Sequence, residues 1–506
     1  MPSNNARIAK NTILLYFRQI LILLVSLYTV RVVLETLGVE DYGIFNVVSG
    51  VVLLFAFLPA AMASATRRFL NFALGQNDME QARNVYSVSL ILHALIAALI
   101  ILLAQTVGLW FFHTWLNIPS ERQAAAFIVY QLSIMITAMG VLQVPYNATI
   151  IAYEKMSFFA ALSLIEVLLR LGIVFLLPLI LLDKLIAYAA FICIAVIVIF
   201  LVHKIYCNRT FKIARFRYCT DKNLFGRLLG FFTWSAFGEV ANVSRVHGTN
   251  MLVNIFHGVT VNAAMGIATQ VNAAVYQFLS SFQTVFNPQI IKLYSAKEYD
   301  HFMRLVFRTS KISFCLLLFF VLPLYINAEF VLRLWLGNAP EYTVAFIHLV
   351  LSSSLLMAIA GPLLVSIQAT GDIKKYQLIT SCLIFANLPL SLFFLWIGFS
   401  PVWVLITRIG LDALILVWQI FFLGRKIKLP VRRFFCEVVV PIFIIMGTTI
   451  LTTVFIYNLF IGEWSKLIAS CIISTITIAC LMYCIGLNKQ EKILFWNWIR
   501  TKLAAG

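Results

Sequence analysis

The amino-acid sequence predicts an all-α polytopic membrane protein with fourteen transmembrane helices, and three observations carry that prediction. Hydrophobic residues make up 62% of the 506-residue chain and charged residues only 11%. Soluble chains sit near ~45–50% and ~25%, because folded domains must meet water, and this chain has too few charges to coat them. The apolar residues gather in runs of about twenty, the length of a helix across the hydrocarbon core of a bilayer, not in the alternating segments of roughly ten residues that make membrane strands. Lys and Arg fall between alternate runs: 29 of the 38 lie on the side of the N-terminus, five on the other side and four within the runs. That asymmetry predicts two cytoplasmic termini and an even number of spans. It also accounts for most of the +18 net charge without a nucleic-acid partner.

In chain order the runs lie roughly at 12–34, 43–65, 85–111, 124–146, 157–181, 185–206, 229–256, 259–288, 307–328, 343–366, 377–398, 401–423, 435–461 and 465–487. The leader MPSNNARIAK enters the first run with no small-residue cleavage site, so a retained first span is expected. Trp110, Trp115, Trp335, Trp396, Trp403 and Trp464 fall at the predicted outer ends, where indoles favour the interface. After the last run, KILFWNWIRTKL from Lys492 interleaves aromatic and basic residues. It predicts a helix lying on the inner leaflet, with a partner-binding tail as the alternative. The nine cysteines are odd in number and lack a C-x-x-C. Cys480 and Cys484 share a helix face, but no His, Asp or Glu sits beside them in that run, so they read as small core residues rather than metal ligands.

An internal repeat organises the chain. Pro145 precedes an exit carrying Glu154 and Lys155; Pro362, 217 residues on, precedes an exit carrying Asp372, Lys374 and Lys375. Spans 2 and 8 likewise run into similar amphipathic stretches, RRFLNFALGQNDMEQARNVY and NPQIIKLYSAKEYDHFMRLVF. The basic stretch from Cys207, CNRTFKIARFRYCTDKNLFGR, is the linker between copies. The expected division is an N-terminal lobe at 1–215 (spans 1–6), a C-terminal lobe at 216–428 (spans 7–12), an extra pair at 429–487 and an interfacial tail at 488–506. Duplicated six-helix halves about an axis normal to the membrane are a recurring transporter plan.

The stretches YGIFNVVSG (42–50), SATRRFLNFALGQND (64–78), NAAMGIATQVNAAVYQF (262–278) and FQTVFNPQIIKLYS (282–295) resemble the polysaccharide-transport branch of the multidrug/oligosaccharidyl-lipid/polysaccharide exporter superfamily. The type most similar is the O-antigen or lipopolysaccharide-biosynthesis flippase of Gram-negative bacteria, along nearly the whole chain. The motifs are moderately specific, since such proteins share pattern more than invariant residues. The resemblance implies two six-helix lobes in a V around a central cavity, alternating access, and flipping of an undecaprenyl-pyrophosphate-linked glycan across the inner membrane. The partners it implies are the bilayer, the lipid-linked oligosaccharide, and a polysaccharide polymerase or glycosyltransferases.

Charges inside spans point to function unless they are paired or wet. Glu166 with Arg170, and Arg408 with Asp412, are i,i+4 partners on one helix face and read as structural ion pairs. Arg18 has no acid within a turn, and it shares a polar stripe with Asn11 and Thr29. It either faces a cavity or snorkels to the headgroups. In span 7, Ser235, Glu239, Asn242, Arg245, Thr249 and Asn250 recur at spacings of three and four, and span 8 adds Asn262, Gln270, Gln277, Gln283 and Asn287. Lipid cannot face such a stripe. It lines a hydrophilic lumen, or it makes helix–helix hydrogen bonds. On the lumen reading Arg18 and Arg245 bind phosphate, because guanidinium is bidentate and stays charged when partly desolvated. Glu239 is left to balance one of these Arg residues or to carry a coupling proton. His93 and His247 read as packing residues.

No P-loop, G-x-S-x-G, H-E-x-x-H or Asp-rich cluster occurs, so a non-enzyme without a cofactor is expected. Transport energy then comes from a coupling ion (H+ or Na+), the membrane potential or consumption of product. The alternative is a cation-coupled multidrug exporter. A membrane glycosyltransferase or ligase would need large outer loops, and the longest, near 329–342, holds only Glu329, Arg333 and Glu341 as charged groups of note. Spans 13 and 14 lack a polar stripe, so they are expected to pack outside the lumen, as a passive pair or as a groove for an isoprenoid tail.

Overall fold

A computed structural model of the chain describes residues 14–486 apart from 23–24, 26–27, 30–31, 34–35, 39–40, 42–43, 46–47, 50–51, 53–56, 116–117, 182, 218–220 and 337–339. The described residues form helices and connecting turns, with no strand among them. Ten of the described helices are long and apolar enough to cross a membrane, and they correspond to runs 3–6 and 9–14. In lipid each backbone N–H and C=O must be satisfied within its own segment, which is why long apolar runs become helices. Runs 1 and 2 are described only in part, and every described residue in them is helical. The predicted tail at 488–506, and Asn11, lie outside the described residues.

The helices used below are α1 (Phe57–Gly75), α2 (Met79–Leu103), α3 (Gln123–Ala152), α4 (Met156–Leu176), α5 (Lys184–Thr210), α6 (Lys222–Ser295), α7 (Tyr299–Ile326), α8 (Thr343–Thr370), α9 (Lys374–Trp396), α10 (Val402–Ile427), α11 (Val440–Tyr457) and α12 (Glu463–Leu481). Aspartates open several of them: Asp78, Asp183 and Asp221 accept hydrogen bonds from the first free backbone N–H groups of α2, α5 and α6, groups no helical carbonyl can reach. Runs 7 and 8 are two helices that meet at a kink with no longer loop between them. They are two arms of α6, broken only at Gly258, whose φ of 79° and ψ of −178° suit glycine.

The repeat is written in local geometry. Thr149 donates to the Pro145 carbonyl and Ser366 to the Pro362 carbonyl, each at 2.8 Å. Proline removes a backbone donor from the helix, and in both copies a hydroxyl four residues later bonds the proline's own carbonyl. The turns that follow use left-handed residues at matching places, Glu154 (φ 56°) and Gly371 (φ 78°). The turns after α1 and α6 do the same with Asn77 (φ 58°) and Lys297 (φ 62°).

Two compact units emerge, cut differently from the expected lobes. Unit 1 comprises Met1–Val240, Thr284–Lys297 and Gln368–Gln377; unit 2 comprises Ala241–Gln283, Glu298–Ile367 and Leu378–Gly506. Unit 1 has a core around Val48, Val129, Tyr130 and Leu185. In a π turn at Ala104–Gly108 the Ala104 carbonyl accepts the Leu109 N–H, and the Tyr130 hydroxyl also donates to it at 2.5 Å. Gly108 leaves room, since a Cβ there would overlap that hydroxyl. Arg122 is held by two carboxylates: its Nε donates to Asp41 at 2.8 Å and its Nη1 to Asp183 at 2.5 Å. In unit 2 the core gathers Val253, Leu279, Leu317, Phe346, Leu351 and Val404. The extra pair, α11 and α12, packs on α7, with Asn327 Nδ2 donating to Ser470 at 2.8 Å and Lys311 Nζ to the Gly486 carbonyl at 2.8 Å.

Candidate functional site

The charged residues of unit 2 converge on one carboxylate. Asp412 of α10 is buried, and it accepts from Arg245 Nη1 of α6 at 2.8 Å and from Ser353 Oγ of α8 at 2.6 Å. Arg408, one turn before it, places its Nε 3.7 Å from the same carboxylate. Two guanidinium groups thus share one negative charge, leaving the cluster with an excess positive charge. Arg245 and Arg408 keep 11% and 19% of their side-chain surface exposed, while Asp412 keeps none. The Nε of each Arg is buried without a hydrogen-bond partner. Asn242 Oδ1 accepts from Arg245 Nη2 at 3.3 Å, fixing the fork on the helix that carries it.

This arrangement corrects two expectations. Arg245, for which the sequence offers only Glu239 as a counter-charge, has its carboxylate partner on a helix 167 residues away in sequence. Arg408 and Asp412, read as a self-contained pair, are the looser half of a three-residue cluster. Sequence spacing shows only neighbours on one helix, so neither the cross-helix bond nor the Ser353 donor was visible.

The polar face of α6 divides between the two readings open to it. Thr249 donates to Asn387 at 3.3 Å, and Gln283 Nε2 to Ser313 at 3.3 Å; these are helix–helix hydrogen bonds. Gln270 and Gln277 are exposed, and Ser235, Glu239, Asn242 and Asn250 are half-buried. His247 is exposed, whereas His93 is buried with Nδ1 2.7 Å from the Ser89 carbonyl oxygen.

Unit 1 holds the remaining intramembrane charges. Arg18 is buried, its Nη1 donates to Ser163 at 3.3 Å, and its guanidinium lies 4.8 Å from the centre of the Phe159 ring. Ser163 and Phe159 are both on α4. Its Nε has no partner, and no ion pair to it occurs among the described residues. Arg18 and Arg245 therefore lie in different units, each with its own neighbours. Glu239 interacts with Arg67, a residue the sequence offered only as a topology charge. Glu166 and Arg170 pair at 2.9 Å on the exposed surface of α4.

No family model matches the chain. Among curated proteins it is similar to the uncharacterized membrane protein EpsK of Bacillus subtilis (strain 168), with 20% identity over 332 residues. That match covers 64% of each chain, so it spans slightly less than two thirds of the relative. Among solved structures it is similar to MATE in complex with MaD3S, with a TM-score of 0.69 and 15% identity over 83% of this chain and 96% of that one. An outward-facing multidrug resistance MATE family transporter of the MOP superfamily gives a TM-score of 0.70 and 15% identity over the same shares, 83% and 96%. The chain has the MATE fold. A third structure with this fold, a MOP superfamily transporter from Pyrococcus furiosus described by the reverse polarity of its binding pocket, gives a TM-score of 0.67 and 14% identity over 84% of this chain and 96% of that one. The all-α polytopic fold expected from the sequence is thus the fold that this chain shares with these structures.

Proposed function

We propose that the protein is a non-enzymatic flippase that moves an anionic lipid-linked oligosaccharide, of the undecaprenyl-pyrophosphate type, across the bacterial inner membrane by alternating access. Its product feeds surface polysaccharide or O-antigen biosynthesis, and both termini lie in the cytoplasm. The observation that carries this reading is the sign of the intramembrane charge. Among the described residues each carboxylate within a span has a guanidinium neighbour, whereas Arg18 has no acid and Arg245 and Arg408 share one. Surplus guanidinium inside a membrane is costly unless something anionic or watery meets it, and pyrophosphate matches its fork. A coupling ion, H+ or Na+, remains the energy source of this proposal.

The second reading is a cation-coupled multidrug exporter, favoured by the multidrug resistance transporter among the similar structures. Such a cargo calls for unpaired carboxylates instead. The experiment is export of surface glycan in a strain depending on this protein. Arg18→Ala and Arg245→Ala abolish export while the protein stays in the membrane, and Lys at either site restores it only in part. Normal export by both Ala variants overturns the anion assignment, and strong drug resistance conferred on a sensitised strain moves the cargo to the second reading.

A further inference from the structure

At the ends of runs 2, 7 and 11, unit 1 contains a cavity of about 430 Å³ that the transport reading does not use. Its cations are Arg68 in the second half of α1, Arg227 in the first turns of α6 and Lys374 at the start of α9, against the single carboxylate of Asp372. Phe69, Phe231 and Trp234 form the apolar walls. Arg68 is the fixed element. It is 8% exposed, its Nε donates to the Gln368 carbonyl and its Nη2 to the Ala369 carbonyl, both at 3.2 Å. Its guanidinium lies 4.4 Å from the Phe69 ring centre and 4.8 Å from that of Phe72. With Nε and Nη2 engaged, Nη1 is the donor left for a ligand. The chain passes over it at Gly371, where a Cβ would overlap the guanidinium.

The charges of this cavity suit an anionic occupant. Two guanidinium groups are close enough that Arg227 adds to burial in lowering the Arg68 pKa to about 10, with Tyr294 opposing. Lys374 Nζ lies 5.4 Å from the centre of the Trp234 ring, where cation–π attraction holds it at the wall. Arg227 and Lys374 are exposed. Like charges gathered at a buried guanidinium cost free energy in the empty site and repay it when an anion of high charge density arrives.

We propose that this cavity is a second anion site, which seats a phosphate or pyrophosphate group between Arg68, Arg227 and Lys374. It is separate from the Asp412 cluster, and it stands whether or not the protein is a flippase. The ligand is the phosphate group itself, free or as the headgroup of a lipid.

The test uses the full chain in detergent micelles and reads tryptophan emission, because Trp234 lines the site. Inorganic pyrophosphate produces a saturable change that is lost in Trp234→Phe. Arg227→Gln combined with Lys374→Gln raises the half-saturating concentration at least tenfold, as expected for losing two charge-assisted contacts. Both side chains are exposed, so elution and thermal unfolding of this variant match the wild type. Arg18→Gln with Arg245→Gln leaves the signal in place, which separates this site from the intramembrane cluster. Farnesyl pyrophosphate binding at least tenfold tighter than pyrophosphate identifies a lipid headgroup as the source, and equal binding identifies free phosphate. No saturation by either probe below the millimolar range, or unchanged binding in the double variant, overturns the proposal.

Discussion

Replacing Asp412 with Asn tests the central cluster most directly, because it changes charge and almost nothing else. The carboxylate is fully buried and meets Arg245 at 2.8 Å, Ser353 at 2.6 Å and Arg408 at 3.7 Å. Asn keeps the shape and can still accept from Ser353, but it leaves two guanidinium groups with no counter-charge. Removing one partner of a buried pair costs about 3–5 kcal/mol. The 11% and 19% exposure of the two Arg side chains lets water hydrate them in part, so the lower end, about 3 kcal/mol, is expected. The assay is unfolding by SDS titration for wild type, Asp412→Asn, Arg245→Gln and the double variant. In the double variant the unpaired charge at position 245 is gone, so it recovers part of the loss, and the cycle gives a coupling of about 2 kcal/mol. An Asp412→Asn protein that unfolds with the wild type, with coupling below about 0.5 kcal/mol, refutes the claim that this carboxylate holds the cluster together.

Three further outcomes follow from particular contacts. Gly75→Ala destabilises by about 1–3 kcal/mol in the same titration, because the new Cβ falls 2.6 Å from Lys292 Cα and 2.7 Å from its carbonyl oxygen, and backbone cannot swing aside. Arg122→Ala costs about 1–2 kcal/mol, less than a buried pair because its side chain is 27% exposed and screened, and the loss shrinks at high salt. In a cysteine-free background, a water-soluble maleimide labels Gln277→Cys far faster than Leu451→Cys. Both positions are exposed, but only Gln277 belongs to the polar face of α6, and equal labelling means that the extra pair borders water.

The fold was largely legible because a bilayer leaves a long apolar run few alternatives to a helix. Runs 3–6 and 9–14 emerged as ten helices from length and composition alone. What composition could not show was continuity. Nothing in the apolar pattern distinguishes a loop near Gly258 from a single-residue break, and the difference lies in one φ angle that glycine tolerates. The repeat was visible at Pro145 and Pro362, and its physical content, a hydroxyl four residues on bonding the proline carbonyl, lies in Thr149 and Ser366. The site was less legible. Arg18, Arg245 and Glu239 were noticed as intramembrane charges, but their neighbours, Ser163, Asp412 and Arg67, come from other helices that no spacing rule connects. On the extra pair, Thr449 is buried with its hydroxyl bonded to the Ile445 carbonyl, which composition alone does not distinguish from the exposed Leu451 two residues on.

The decisive residue of the Asp412 cluster is the Arg that its carboxylate does not need. Arg245 and Asp412, with Asn242 and Ser353 on either side, already form a balanced and hydrogen-bonded pair. Arg408 adds a second guanidinium at 3.7 Å. If the cluster served packing alone, that addition would bring desolvation and like-charge repulsion for a weak third contact. Arg408→Gln therefore leaves stability within about 1 kcal/mol of the wild type, or raises it, because the Arg245–Asp412 pair remains neutral. The same change removes the surplus charge that the transport proposal assigns to pyrophosphate, so surface-glycan export falls sharply in a protein that is no less stable. This pattern, intact fold with lost export, is opposite to that of Asp412→Asn, which loses stability while gaining positive charge. An Arg408→Gln protein that unfolds early but exports normally makes Arg408 a packing residue, and the surplus charge then has no part in recognising an anion.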